Sequence, residues 1–261
     1  MAHSKLICLM VKLGFIVATN NDEILQRNFL KSKVISDQKY PVTLQRGYRN
    51  IGKAYNDGMA GTDSQFLVCL HQDVFLPDHW EDQLMASLHK LAATRWGVLG
   101  VAGVNLVGGR REFLGHLLDR GMAFGPSAHL PAQVETLDEL LLVIRNDGKL
   151  LFDEDLPTAH FYGADVCLRA SSQGLGCFAI DAYCHHNSTN SNIHSREFRM
   201  AVKYMRKKWK HRLPFGTTCT IVESRFLDDL RRAIWSFGCQ PQTHPGAAKL
   251  RRFLKLLLGR K

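Results

Sequence analysis

The sequence predicts an α/β domain, with a mostly parallel central sheet flanked by helices and a helical, basic C-terminal extension. Three observations carry this. Short apolar runs alternate with stretches of helical periodicity. One run, Phe66-Leu67-Val68-Cys69-Leu70, is apolar throughout, as a strand buried on both faces requires, and it ends abruptly in His71-Gln72-Asp73. The last third changes character, with cations dense over Lys203–Arg212 and again over Arg251–Lys261.

Taken in order, Leu13 to Ala18 reads as the first strand. The apolar stretch from Leu6 is too short to span a bilayer, and it is expected to be core strand, not a signal peptide. Asn20 then caps a helix with Glu23 at the third position, running to about Ser32. Tyr40–Leu44 is a second strand, and Ile51 to Gly58 or Gly61 a helix. After the marker strand, Asp78 opens a helix whose Trp80, Leu84, Leu88 and Leu91 form one apolar face. Trp96–Val107 reads as one central strand, broken by Gly108-Gly109. Residues 109–133, rich in Gly, Pro and Arg, are expected to be a mobile loop. Leu140–Ile144 is a strand, Gly148–Asp153 a short edge strand, and Ala164–Gln173 a helix stopped by Gly174. Phe178–Ile180 is a strand, Asp181–Ser191 a polar loop, and the chain is helical and basic from Phe198. Pro214-Phe215-Gly216 closes the main domain, giving a division into residues 1–215 and 216–261.

The 261 residues carry a net charge of +10, from 34 Lys+Arg against 24 Asp+Glu, a balance that attracts polyanions. The excess lies in late helices without interleaved aromatic residues, which argues against nucleic acid. Seven scattered cysteines without a CxxC pair indicate a reducing compartment and no zinc ribbon. There is no G-x-G-x-x-G and no Walker A motif, so neither a dinucleotide fold nor a P-loop is supported.

Four groups can carry chemistry. His71, Gln72 and Asp73 stand at the carboxyl end of a buried strand, where open α/β sheets receive ligands. Asp73 suits a divalent cation holding a diphosphate, and His71, on the same face by strand alternation, suits manganese. Asp153-Glu154-Asp155 precedes Tyr162-Gly163-Ala164-Asp165. A carboxylate at a helix start can take a proton from a hydroxyl, and helix capping is the plain structural alternative for Asp165. His185-His186-Asn187 follows a short strand. Adjacent histidines cannot readily share one ion, so His186 alone is taken as a ligand. Thr19-Asn20-Asn21-Asp22 forms the first βα turn, which suits a base or ribose, or merely caps the helix.

These groups, with Asn50-Ile51-Gly52-Lys53-Ala54-Tyr55-Asn56-Asp57-Gly58, Val134–Asp138, Leu151-Phe152-Asp153-Glu154 and Phe161–Arg169, resemble a family-2 glycosyltransferase of the GT-A fold, in its StrF-type branch. The likeness runs from about Leu13 to Pro214. It implies inverting transfer of a sugar from a nucleoside-diphosphate-sugar donor to an acceptor hydroxyl, assisted by Mn2+ or Mg2+. Thr19, Asn21, Asp22, Lys53, Asn56 and Gln72 would lie on the donor. His71-Gln72-Asp73 replaces the family's Asp-x-Asp, with Asp73, His71 and His186 at the metal. The base usually lies in a Glu-Asp pair that this chain lacks; Asp165 is taken as its substitute, with Glu154 as rival.

Leu250, Phe253, Leu254 and Leu257 share one helical face beside Lys249, Arg251, Arg252 and Lys255, the pattern of a helix lying on anionic lipid. A cytoplasmic protein, peripheral at the inner membrane face, with a glycan or lipid-linked acceptor is the resulting expectation. Two other classes compete: a degenerate, non-catalytic domain that binds polyanions or membrane, and a sugar nucleotidyltransferase, which needs a Gly-rich phosphate loop that is missing here.

Overall fold

The computed structural model describes residues 12–188 and 195–224. A seven-stranded sheet organises them. Its strands are β1 (Leu13–Thr19), β2 (Val42–Arg46), β3 (Phe66–His71), β5 (Trp96–Gly100), β10 (Ala132–Val134), β12 (Leu141–Arg145) and β13 (Gly176–Ala179), in the spatial order β10-β13-β5-β12-β3-β1-β2. β1 pairs in parallel with β2 and β3, and β13 with β5. β12 runs antiparallel between β3 and β5, and β10 is an antiparallel edge. The sheet is thus mostly parallel, as expected.

Alternation along the strands sends side chains into two cores. Ile16, Leu67, Cys69, Leu142 and Ile144 pack on one face against Tyr55 and Met59 of helix α3 (Ile51–Ala60), Val166 and Leu168 of α5 (Tyr162–Ser172), and Phe198 and Met205 of α6 (Arg196–Lys208). Phe15, Val17, Val68, Leu70 and Val143 pack on the other against Leu25 of α1 (Asp22–Arg27), Ile35 of α2 (Lys33–Ser36), and Trp80 and Leu84 of α4 (Trp80–Lys90). β3 is buried on both faces, which explains its uninterrupted apolar run.

The stretch read as a loop over 109–133 is largely strand. β6 (Ala102–Val107) and β7 (Arg110–Gly115) form a hairpin, joined by Gly108 (φ 56°) and Gly109 (φ 74°). Both residues have positive φ, the two-residue turn that suits strand twist, so the glycines signalled a hairpin and not a break. β8 (Leu117–Asp119) turns into β9 (Met122–Phe124) the same way, through Arg120 (φ 49°) and Gly121 (φ 78°). β6 lies between β7 and β11 (Thr136–Leu137), so Trp96–Val107 is two strands in two sheets.

A small sheet, β4-β14-β8-β9, brings β4 (Val74–Phe75) and β14 (Cys184–His186) beside β8; the segment from Asp181 is therefore partly strand. No strand forms over Gly148–Asp153. The first helix is capped by Asn21, whose side chain accepts from Ile24 N, and α4 starts after His79 in the left-handed region, not after Asp78. The hairpin β15 (Phe215–Gly216)–β16 (Ile221–Val222) buries Val222 in the main core, so residues to at least 222 pack with the domain. The lipid-facing helix expected over Ala247–Leu258 lies outside the described residues. No helix among the described residues is long and apolar enough to cross a membrane.

Candidate metal and donor site

The apolar run of β3 delivers His71 to the carboxyl end of the sheet, and the chain reverses through Gln72-Asp73 into β4. β14 pairs antiparallel with β4, placing His186 opposite Val74. Three residues distant in sequence therefore converge. One ligand atom from each of His71, Asp73 and His186 lies within 4.8 Å of the others. His186 Nε2 is 3.5 Å and His71 Nδ1 3.9 Å from Asp73 Oδ1.

Outer partners fix both imidazoles. Asp119 Oδ1, on β8, stands 2.9 Å from His186 Nδ1 and accepts from it, which turns Nε2 towards Asp73 as the nitrogen available to an ion. Tyr162 Oη, at the start of α5, donates to the Glu139 carbonyl (3.1 Å) and therefore accepts from His71 Nε2 (2.7 Å). His71 Nδ1 is left bare towards Asp73. Burial pulls His71 below the ordinary imidazole value against the attraction of Asp73, which favours the neutral ligand. Asp73 Oδ1 and His186 Nε2 are buried and have no hydrogen-bond partner among the described residues. Unpaired buried polar atoms cost about 1–3 kcal/mol each, and a divalent cation among these three donors removes that cost. The residues present fit such an ion.

Beside the cluster lies a cavity of about 180 Å³, lined by Ala18, Thr19, Asn20, Gln45, Tyr48, Ile51, His71, Gln72 and Asp73. Gln72 holds its wall. Its Oε1 accepts from Thr19 Oγ1 (2.7 Å), Asn20 N (3.1 Å) and Asn21 N (3.0 Å), tying the first βα turn to the end of β3. Gln72 thus shapes the cavity through the turn.

Other expected residues sit differently. Asn21 caps α1, and Asp22 pairs on the surface with Arg46 at 2.7 Å. Lys53 pairs with Asp57 at 3.0 Å within α3. Asn56 is structural: its side chain binds Phe152 N, Phe152 O and Glu154 Oε1. Glu154 is exposed and held there. Asp165 lies in the interior. It is fully buried, accepts from Lys208 Nζ (2.6 Å) and Trp209 Nε1 (2.7 Å), and anchors α6 to α5. No acceptor hydroxyl reaches a carboxylate so enclosed. Burial raises its pKa, opposed by Lys208.

Sequence reading missed Tyr162, Asp119, Gln45, Tyr48 and Glu139. Tyr162 stands in a segment already singled out, but a phenol there gave no sign of touching His71. Asp119 was hidden because its strand was read as loop.

The model of a family described as glycosyltransferase like family matches residues 14–208. A curated protein of Fuscovulum blasticum, "ATP synthase subunits region ORF 6", is 33% identical over 150 residues, which are 54% of this chain and 60% of that protein. The chain therefore matches less than two thirds of that relative's length. The structure of mannosyltransferase PcManGT from Pyrobaculum calidifontis, solved with GDP-Man and Mn2+, matches with a TM-score of 0.52 at 13% identity, over 95% of this chain and 80% of that one. That likeness is one of fold.

Proposed function

This chain belongs to the glycosyltransferase-like family, and from that premise we propose that it moves a sugar from a nucleoside-diphosphate-sugar to an acceptor hydroxyl, with inversion, using a divalent cation held by His71, Asp73 and His186. The observation that carries this is the pair of buried atoms without a hydrogen-bond partner among the described residues, Asp73 Oδ1 and His186 Nε2, beside a cavity that His71 and Asp73 help to line. When bound, the cation supplies positive charge to the departing diphosphate. The chain's own residues do the rest. Tyr162 and Asp119 orient the imidazoles, and Gln72 keeps Thr19 and Asn20 against the cavity wall. Tyr48 and Gln45 offer a ring and an amide to the nucleoside.

The Mn2+ and GDP-Man bound by the Pyrobaculum enzyme support this cofactor and donor class by likeness. The basic, leucine-bearing C-terminal segment supports an acceptor at an anionic membrane surface, on the cytoplasmic side. A degenerate binder has no use for three converging metal donors held by outer partners, so the enzyme is the reading adopted.

The test is thermal stabilisation by a panel of nucleoside diphosphates, with and without Mn2+ or Mg2+. A ligand at one hundred times its Kd adds about 2.7 kcal/mol to the folded state. Metal-dependent stabilisation by one nucleotide, lost in Asp73→Ala, is expected. A well-folded protein that responds to none contradicts the reading.

A further inference from the structure

We propose that Glu139 is the catalytic base that takes the proton from the attacking hydroxyl, an assignment that rests on the transferase reading above. Displacement of a diphosphate by an alcohol needs a base near the metal, and five carboxylates of the site and its surroundings are engaged elsewhere. Asp73 is a ligand. Asp119 receives His186 and Arg120. Asp138 receives Leu140 N (3.1 Å) through one oxygen and Thr218 Oγ1 through the other. Asp165 is enclosed by Lys208 and Trp209, and Glu154 is held by Asn56. Glu139 remains.

Its place suits the role. Leu140, the next residue, accepts from His71 N at 3.0 Å, so Glu139 lies at the carboxyl end of β3. The Glu139 carbonyl takes the Tyr162 hydroxyl whose oxygen receives His71 Nε2, so a chain of two hydrogen bonds joins it to a metal ligand. Its half-buried carboxylate accepts the Phe161 N–H just ahead of α5. Space for it exists because residue 163 is glycine: a Cβ there would stand 2.8 Å from Leu137 O and 3.2 Å from Glu139 Cγ. Burial, with Asp138 adding to it, pushes the Glu139 carboxyl up to about 8, basic enough to accept a proton near neutrality.

The step balances. The acceptor O–H bond breaks and its proton passes to the Glu139 carboxylate. The acceptor oxygen forms the new bond to the anomeric carbon. The bond from that carbon to the diphosphate oxygen breaks, and its electron pair leaves with the nucleoside diphosphate.

The experiment measures nucleoside-diphosphate release from UDP-, GDP- and dTDP-linked hexoses with Mn2+ and water as acceptor. Glu139→Gln keeps an oxygen for the Phe161 N–H. It is expected to slow turnover on the order of 10²–10⁴-fold while the Kd values for Mn2+ and nucleoside diphosphate stay unchanged. Sodium azide, which needs no base, is expected to restore turnover to Glu139→Ala and yield the glycosyl azide. Glu139→Gln turnover within a few-fold of wild type overturns the assignment. So does loss of Mn2+ or nucleotide affinity in step with turnover, which marks a structural cap. Wild-type protein that binds a nucleoside diphosphate but releases none from any donor overturns it too. Wild-type protein that binds no nucleoside diphosphate overturns the transferase reading itself.

Discussion

His186 Nε2 faces Asp73 Oδ1 across 3.5 Å, and neither buried atom has a hydrogen-bond partner among the described residues. The converging donors are two imidazoles and one carboxylate. Imidazole favours borderline transition metals over magnesium. Mn2+, Co2+ or Zn2+ is therefore expected to raise the melting temperature at concentrations where Mg2+ gives no shift. Equal shifts from Mg2+ would place the ion on oxygen donors elsewhere.

Asp119 holds the proton-bearing side of His186. Asp119→Asn is expected to weaken Mn2+ affinity ~10–100-fold with the fold retained, since outer partners of metal-bound histidines have effects of this size. Isothermal titration checks this, and unchanged affinity would remove Asp119 from the site.

Asp165 is predicted to matter for stability and not for chemistry. Asp165→Ala leaves Lys208 facing Asp153 alone and Trp209 Nε1 without its acceptor. Urea unfolding is expected to show a loss on the order of 3 kcal/mol, as when a buried pair loses one member. Asp165→Asn, which keeps an acceptor, is expected to retain nucleotide-dependent stabilisation by Mn2+.

Gly163→Ala is expected to cost about 1–3 kcal/mol, because its Cβ meets Leu137 O at 2.8 Å and the Glu139 side chain. Donor turnover falls with it. A variant of wild-type stability and rate would show that Glu139 does not depend on that space.

The pH dependence carries a definite sign. The Glu139 carboxyl is raised from 4.5 to about 8 in the folded state, so the native protein binds more protons than the unfolded chain between those values. Its contribution to stability therefore falls as pH rises through that window, and Glu139→Gln removes the slope. Turnover is expected to run the other way, rising as Glu139 ionises towards pH 8. Asp138, Tyr162, Tyr55 and Cys219 surround the same spot, so the comparison with Glu139→Gln isolates the Glu139 share.

The three residues that converge, His71, Asp73 and His186, could be singled out in the sequence because each follows an apolar strand that breaks off in polar residues. His71 and Asp73 share a face by alternation, and His186 is the inward member of an adjacent pair. The two hairpins were not legible as strands, since Gly108-Gly109 read as a break and Arg120-Gly121 fell within a stretch read as loop, whereas their positive φ values close β6–β7 and β8–β9. Asp119 was lost with them. The Lys208 and Trp209 partners of Asp165 were not legible, because a carboxylate near a helix start looks alike whether it faces a cavity or a lysine. Glu139 carried no signal, because its role depends on Gly163, which is 24 positions away along the chain and adjacent only in the fold.

The most direct test of the central claim is the uptake of free Mn2+, followed by its solution EPR signal, with the nucleoside diphosphate that stabilises the protein. Wild-type protein is expected to remove Mn2+ from solution in proportion to chain concentration, and Asp73→Ala to leave the free signal intact. A folded Asp73→Ala protein that takes up Mn2+ as wild type does would contradict the site formed by His71, Asp73 and His186.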